Sequence, residues 1–182
     1  MKRALLYKAI VLNLCIAVLM SCEKVKTQVA AENNSNTNII GEWILEDYNY
    51  TGVSTSTILG QEIKTNYIGT GVDMDFMINF KENKEVHSSG NFNIKLTYTI
   101  NGQTGTTTES AGDLIKQGFS GTWEVKGDSL YIVNFTGEKS ASYIETLTEN
   151  TLKTKIIDKR TRNIQGVQTE IYNNITMELT KK

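Results

Sequence analysis

From Ile39 to Lys182 apolar and polar residues tend to alternate in twos, and alternate residues of a β-strand share one face. Between Val72 and Phe80, Met74, Phe76, Ile78 and Phe80 fall on one side, and Asp73, Asp75, Met77 and Asn79 on the other. Phe92, Ile94, Leu96, Tyr98 and Ile100 alternate with Asn93, Lys95, Thr97 and Thr99. Near the end, Val167, Ile171, Ile175, Met177 and Leu179 share a parity opposed by Tyr172, Asn174, Thr176 and Glu178. This is the pattern of half-buried antiparallel strands. Turn-forming pairs separate the runs: Glu82-Asn83-Lys84, Asn101-Gly102, Gly127-Asp128 and Glu149-Asn150.

The pattern predicts strands over 42–50, 62–69, 73–81, 84–100 (with a bend at Gly90), 119–126, 129–136, 141–148, 151–159 and 167–180. That is one span more than a barrel of about eight strands takes, and 62–69 carries the weakest alternation. Ser110 to Gln117 predicts a short helical turn, and the polar stretches 51–61 and 101–118 otherwise read as long loops. Sequential hairpins that each keep one apolar face must close or pair with a second sheet, and closure removes exposed edges. The expected fold is therefore all-β: an antiparallel up-and-down barrel of about eight strands, in one domain over 39–182.

The first residues have a different texture. Lys2, Arg3 and Lys8 form a cationic head, and Ala9 to Met20 is an apolar run broken only by Asn13. A membrane-spanning helix needs about 20 apolar residues, and polar chain follows this shorter run at once. Residues 1–21 read as a secretory signal peptide. Leu19-Met20-Ser21-Cys22 resembles the lipobox of bacterial lipoproteins: Leu, any residue, a small residue, then Cys. The resemblance implies cleavage before Cys22 and acylation of its thiol. Two or more acyl chains, at about 0.8 kcal/mol for each buried methylene, give stable attachment. Cys15 would leave with the signal, so the folded part would hold no thiol for a disulfide, a metal or a nucleophile.

Residues 22–38 lack any apolar period and read as a flexible tether between lipid and domain. The whole chain is nearly neutral, with 19 basic and 20 acidic residues, and removal of the cationic head leaves a mildly acidic remainder. That argues against a nucleic-acid partner and against electrostatic binding to anionic lipid. The expected location is the cell envelope, with the protein lipid-anchored. The inner membrane, the inner face of the outer membrane and the cell surface stay open, and the outer membrane is the commoner destination.

Two stretches carry a further resemblance. Ile40-Gly41-Glu42-Trp43 places Gly-x-Trp at the opening of the first strand. Gly121-Thr122-Trp123-Glu124-Val125, followed by Leu130-Tyr131-Ile132 and then Tyr143-Ile144 through Leu147 to Leu152, forms a spaced hairpin series. Together they resemble the lipocalin-like (calycin-type) domain of lipid-anchored envelope proteins of Gram-negative bacteria. The resemblance covers about residues 39–180 and implies a barrel with Trp43 plugging its closed end. Its motifs are moderately specific for fold and nearly silent on function.

No catalytic constellation accompanies it. His87 is the one histidine, without a second His or a Cys to make a usual transition-metal site, and reads as solvent-facing. Asp73 and Asp75 share a face, which could serve acid–base chemistry or Ca²⁺, but their parity puts them outside the barrel. Lys153, Lys155, Lys159, Arg160 and Arg162 read as a solvated basic face. No catalytic residue, metal site or cofactor is expected, and the chain is not expected to be an enzyme. The expected function is a lipoprotein that binds a small apolar ligand inside its barrel. The alternative is a structural or interaction lipoprotein with a filled core, binding another envelope component or a glycan.

Overall fold

The computed structural model describes residues 39–164 and 167–182. The expected signal peptide 1–21, the lipidation site Cys22 and the tether 22–38 lie outside the described residues. Nine strands and one helix follow in order: β1 Gly41–Ile58, β2 Gln61–Phe80, β3 Glu85–Ile100, β4 Gln103–Ser110, α1 Gly112–Gly118, β5 Gly121–Lys126, β6 Ser129–Asn134, β7 Lys139–Leu147, β8 Thr151–Ile164 and β9 Val167–Lys181. Every pairing is antiparallel. Eight strands close a ring in the order β2-β1-β9-β8-β7-β6-β5-β3, with β3 returning to β2. The ninth strand, β4, hangs on β3 outside that ring.

This resolves the surplus strand. The spans 62–69 and 73–81 are one strand, β2, whose register shifts between Val72 and Asp75, with Asp73 at φ 51°. A bulge lets one strand bend without ending, and alternation read in short windows sees it as a break.

The expected loops at 51–61 and 101–118 are corrected. β1 runs on to Ile58 and meets β2 through a tight turn at Leu59-Gly60, where φ is 51° and 77°. Asn101-Gly102 forms the expected two-residue turn with φ 50° and 79°, and β4 follows it. These segments are rich in Thr and Ser, which hid them. Thr is a good strand former because its branched side chain suits a pleated surface. The helical turn expected from Ser110 to Gln117 is α1.

The core fills the lower part of the ring. Trp43, Phe76, Phe80, Val86, Leu130 and Leu179 are all at most 2 % exposed. Trp43 is buried and donates its indole N–H to the Ile39 carbonyl at 2.7 Å. Trp123 donates to the Lys81 carbonyl at 3.1 Å and stands edge-on to Phe80, ring centres 5.7 Å apart. Both indoles keep an apolar body inside while their one donor is satisfied. β3 pairs with β5 only at Glu85 and Val86, then leaves it. Where they part, α1 packs Ile115 and Phe119 against the core, and Ser88 Oγ donates to the Lys116 carbonyl at 3.1 Å.

β5 and β6 have six residues each, whereas β1, β2, β3, β8 and β9 have fourteen or more. The long strands continue past the filled core as a curved wall. What lines the inner face of that wall decides what the domain can hold.

Candidate ligand-binding cleft

Above the core lies a cleft of about 940 Å³. Its volume falls in the roughly 300–1,000 Å³ range of small-molecule sites. Tyr48, Ile94, Leu96, Ile115, Ile156 and Ile175 supply its apolar lining. Tyr48 stacks obliquely on Phe92 at 5.1 Å, and Phe92 meets Phe76 at 5.6 Å, so the floor rests on a rigid aromatic ladder. Polar groups gather at the rim: Tyr50, Glu109, Asp158, Arg160 and Asn173.

The strand register explains this grouping. Tyr50 pairs with Ile175, Gly52 with Asn173, Asn173 with Asp158, and Arg160 with Ile171. All therefore project from the inner face, Tyr50 level with the apolar floor at Ile175, Asn173 and Asp158 one layer above it and Arg160 two. Tyr67 joins them from β2, opposite Gly52. Its hydroxyl donates to Asn173 Oδ1 at 2.9 Å, and Tyr50 donates to the same oxygen at 3.3 Å. Asn173 Nδ2 donates in turn to Asp158 Oδ2 at 3.1 Å, and Arg160 Nε lies 3.1 Å from that same oxygen.

Gly52 makes the network possible. It sits on β1 between Tyr67 and Asn173, and a Cβ there would lie 2.1 Å from Tyr67 Cε2 and 2.7 Å from Asn173 Oδ1. Only a residue without a side chain leaves the hydroxyl room to cross the strand. The Tyr50 and Tyr67 rings stack at 5.3 Å and form a flat shelf beside the cleft. Burial pushes the Tyr48 hydroxyl up to about 12. Burial first, and neighbouring Tyr67 second, raise Tyr50 as well. Both remain neutral donors at physiological pH.

The wall is not continuous. β7 pairs with β8 from Leu147 up to Tyr143, opposite Lys155, and no further. A second cavity of about 390 Å³ lies on this seam, lined by Ala141, Ser142, Tyr143, Lys155 and Ile157 among others. It shares Ala141 and Ile157 with the main cleft. The cleft thus has a side approach between β7 and β8, with Tyr143 and Ile157 exposed beside it.

The residues singled out in the sequence fall elsewhere. His87 is half-exposed on the outer face, its Nε2 3.5 Å from Glu85 Oε2. Asp75 is exposed on the outer face, and Asp73 stands in the β2 bulge, accepting from Asn93 Nδ2 at 3.2 Å. Among the described residues no three His, Cys, Asp or Glu side chains gather as metal ligands would. The basic run divides by parity. Lys153, Lys155 and Lys159 take the outer parity, although Lys159 also borders the cleft, while Arg160 and Arg162 take the inner parity, and Arg160 joins the rim. Arg160 is solvent-exposed as that reading expects, and it also borders the cleft. Sequence reasoning missed Tyr50, Asp158 and Asn173. One signal was available: Asp158, Arg160 and Asn173 are polar residues at positions where the alternation calls for apolar ones.

The closed eight-stranded ring and its cleft agree with what comparison with known families finds. The model of the lipocalin-like domain matches residues 39–154. The chain belongs to the lipocalin-like domain family. No curated protein and no solved structure matches it. Lipocalin-like domains are in general binding proteins rather than catalysts, and a ligand-binding β-barrel is what membership suggests. The match ends at Thr154, so Asp158, Arg160 and Asn173 lie in the part of the barrel beyond it.

Proposed function

We propose that this lipocalin-like protein is a lipid-anchored lipoprotein of the bacterial cell envelope, at the outer membrane, that binds a small molecule with a largely apolar body in its cleft. The observation that carries the binding reading is the cleft itself. An apolar floor under a few fixed polar groups is the composition of small-molecule sites, and here the floor rests on packed aromatics with a hydrogen-bonded rim above. A barrel filled throughout would present no such space. The anchor rests on Cys22 at the end of the apolar run, in a setting that resembles a lipobox.

Native mass spectrometry of the full-length protein, released from membranes with minimal detergent, tests the binding. The wild type is expected to carry a non-covalent adduct of a few hundred daltons. Leu96→Trp, which puts a bulkier ring on the cleft wall, is expected to lower the adduct's occupancy without a lower unfolding midpoint. A wild type with no adduct, or an adduct whose occupancy Leu96→Trp leaves unchanged, overturns the reading. For the anchor, Cys22→Ser is expected to move the protein from the membrane to the soluble fraction; retention in the membrane overturns it.

A further inference from the structure

We infer that the ligand is an amphiphile with an anionic head group, held at the cleft rim by the terminal guanidinium nitrogens of Arg160. The inference rests on the binding reading above and names the ligand's class.

Asn173 is buried at 3 % exposure and uses both ends of its amide: the oxygen accepts from the two tyrosines and the nitrogen donates to Asp158. Asp158 Oδ2 receives Asn173 Nδ2 and Arg160 Nε. The contact of Arg160 with Asp158 is made at Nε. Among the described residues no hydrogen bond engages its two terminal nitrogens. A guanidinium presents a planar fork of N–H donors, and the terminal pair matches the two oxygens of a carboxylate or phosphate.

The network fixes that fork in place. Arg160 is tied to Asp158, Asp158 to Asn173, and Asn173 to tyrosines on two further strands, so the rotamer freedom of a long side chain is already restricted before a ligand arrives. The local charge has the right sign. Arg160, Lys139 and Lys159 line the cleft against Asp158 and Glu109, and Asp158 already accepts a hydrogen bond from Asn173 and pairs with Arg160. Geometry then sets the shape of the ligand. Ile156 and Ile175 lie below Asp158 and Asn173 on the same inner face, with Ile94 and Leu96 across the cleft. A head at Arg160 therefore leads an apolar tail down onto the floor.

The experiment is calorimetric titration of the full-length protein in phosphatidylcholine nanodiscs, with empty nanodiscs subtracted. Three probes share one ten-carbon tail: decanoate, decyl phosphate and decanol. At least one anionic probe is expected to bind about tenfold or more tighter than decanol, as a hydrogen bond to a charged group implies. The two anions distinguish a carboxylate from a phosphate head. Arg160→Gln is expected to erase the preference, weakening the anionic probe far more than decanol. Arg160→Lys, which keeps the charge and loses the fork, is expected to fall between. Equal binding of all three probes by the wild type overturns the head-group inference and leaves the cleft reading standing, as does a preference that survives Arg160→Gln. If none of the three binds, both fall.

Discussion

Replacing Gly52 by Ala tests whether the rim network depends on a missing side chain. The backbone tolerates the change, since Gly52 does not occupy the left-handed region. The side chains do not. The new Cβ would stand 2.1 Å from Tyr67 Cε2, where ordinary contact begins near 3.4 Å, so the ring must retreat by more than about 1 Å. If Tyr67 stays and the strands yield, overpacking costs about 1–3 kcal/mol. If Tyr67 swings away, it loses its bond to Asn173, at about 1 kcal/mol, and its stacking on Tyr50, at about 0.5–1.5 kcal/mol. Either route costs about 2 kcal/mol. The stiffer unfolded chain of the alanine variant offsets about 0.5 kcal/mol of this. The net loss is then about 1–2 kcal/mol, or roughly 3–6 °C in Tm for a domain of this size. Urea unfolding of the wild type, Gly52→Ala, Tyr67→Ala and the double variant measures it as a coupling energy. Most of the Gly52→Ala cost is expected to vanish once Tyr67 is Ala. An equal cost in both backgrounds refutes the reasoning.

Other perturbations follow from the same geometry. Gly90 has φ +80°, and a Cβ there would lie 1.7 Å from the Asp75 carbonyl oxygen, which is backbone and cannot move aside. Gly90→Ala is expected to cost more than about 3 kcal/mol, whereas Gly137→Ala, at φ +83° with nothing within 4 Å, is expected to cost only the left-handed penalty of about 1–2 kcal/mol; denaturant midpoints of the two compare directly. Tyr48, 4 % exposed, keeps its proton to about pH 12 in the folded state, against about 10 in the unfolded chain. The folded pKa is the higher one, so its contribution is complete below pH 10 and is lost as pH rises to 12, amounting to about 3 kcal/mol. Tyr48→Phe is expected to flatten the fall of the urea midpoint between pH 10 and 12, and an unchanged slope counts against burial as the cause.

Much of the barrel was legible because its cause is local. The residue types of Phe92 to Ile100 alternate without a fault, and Phe92, Ile94 and Leu96 turn inward as that alternation requires, while Tyr98 and Ile100 at the far end are exposed. Asn101-Gly102 announces its own turn, because the conformation it needs is one that few other residue pairs adopt. Trp43 was recognisable as a core residue through its Gly-x-Trp motif.

Two kinds of feature were not legible. The continuity of β2 through its bulge, and the strands hidden in Thr-rich stretches, depend on partners far away in the chain: Thr51 finds both Ile68 and Asn174, and Thr97 finds Thr106. A polar strand carries no apolar stripe when its inner face looks onto a cleft instead of a core, so alternation falls silent there. The rim network is the second kind. Tyr50, Tyr67, Asp158, Arg160 and Asn173 come from four strands, and their common face follows only from register.

The sequence by itself determined the strands with one wet and one dry side, the tight turn at Asn101-Gly102 and the buried Trp43, because each follows from a few adjacent residues and the period of a pleated chain. Tertiary structure alone decided that eight of nine strands close, that the long ones overrun the core to leave a cleft, and that an arginine from a polar run stands at its rim. Those outcomes depend on which strand lies beside which, and at what offset; a shift of one residue would turn every side chain to the opposite face.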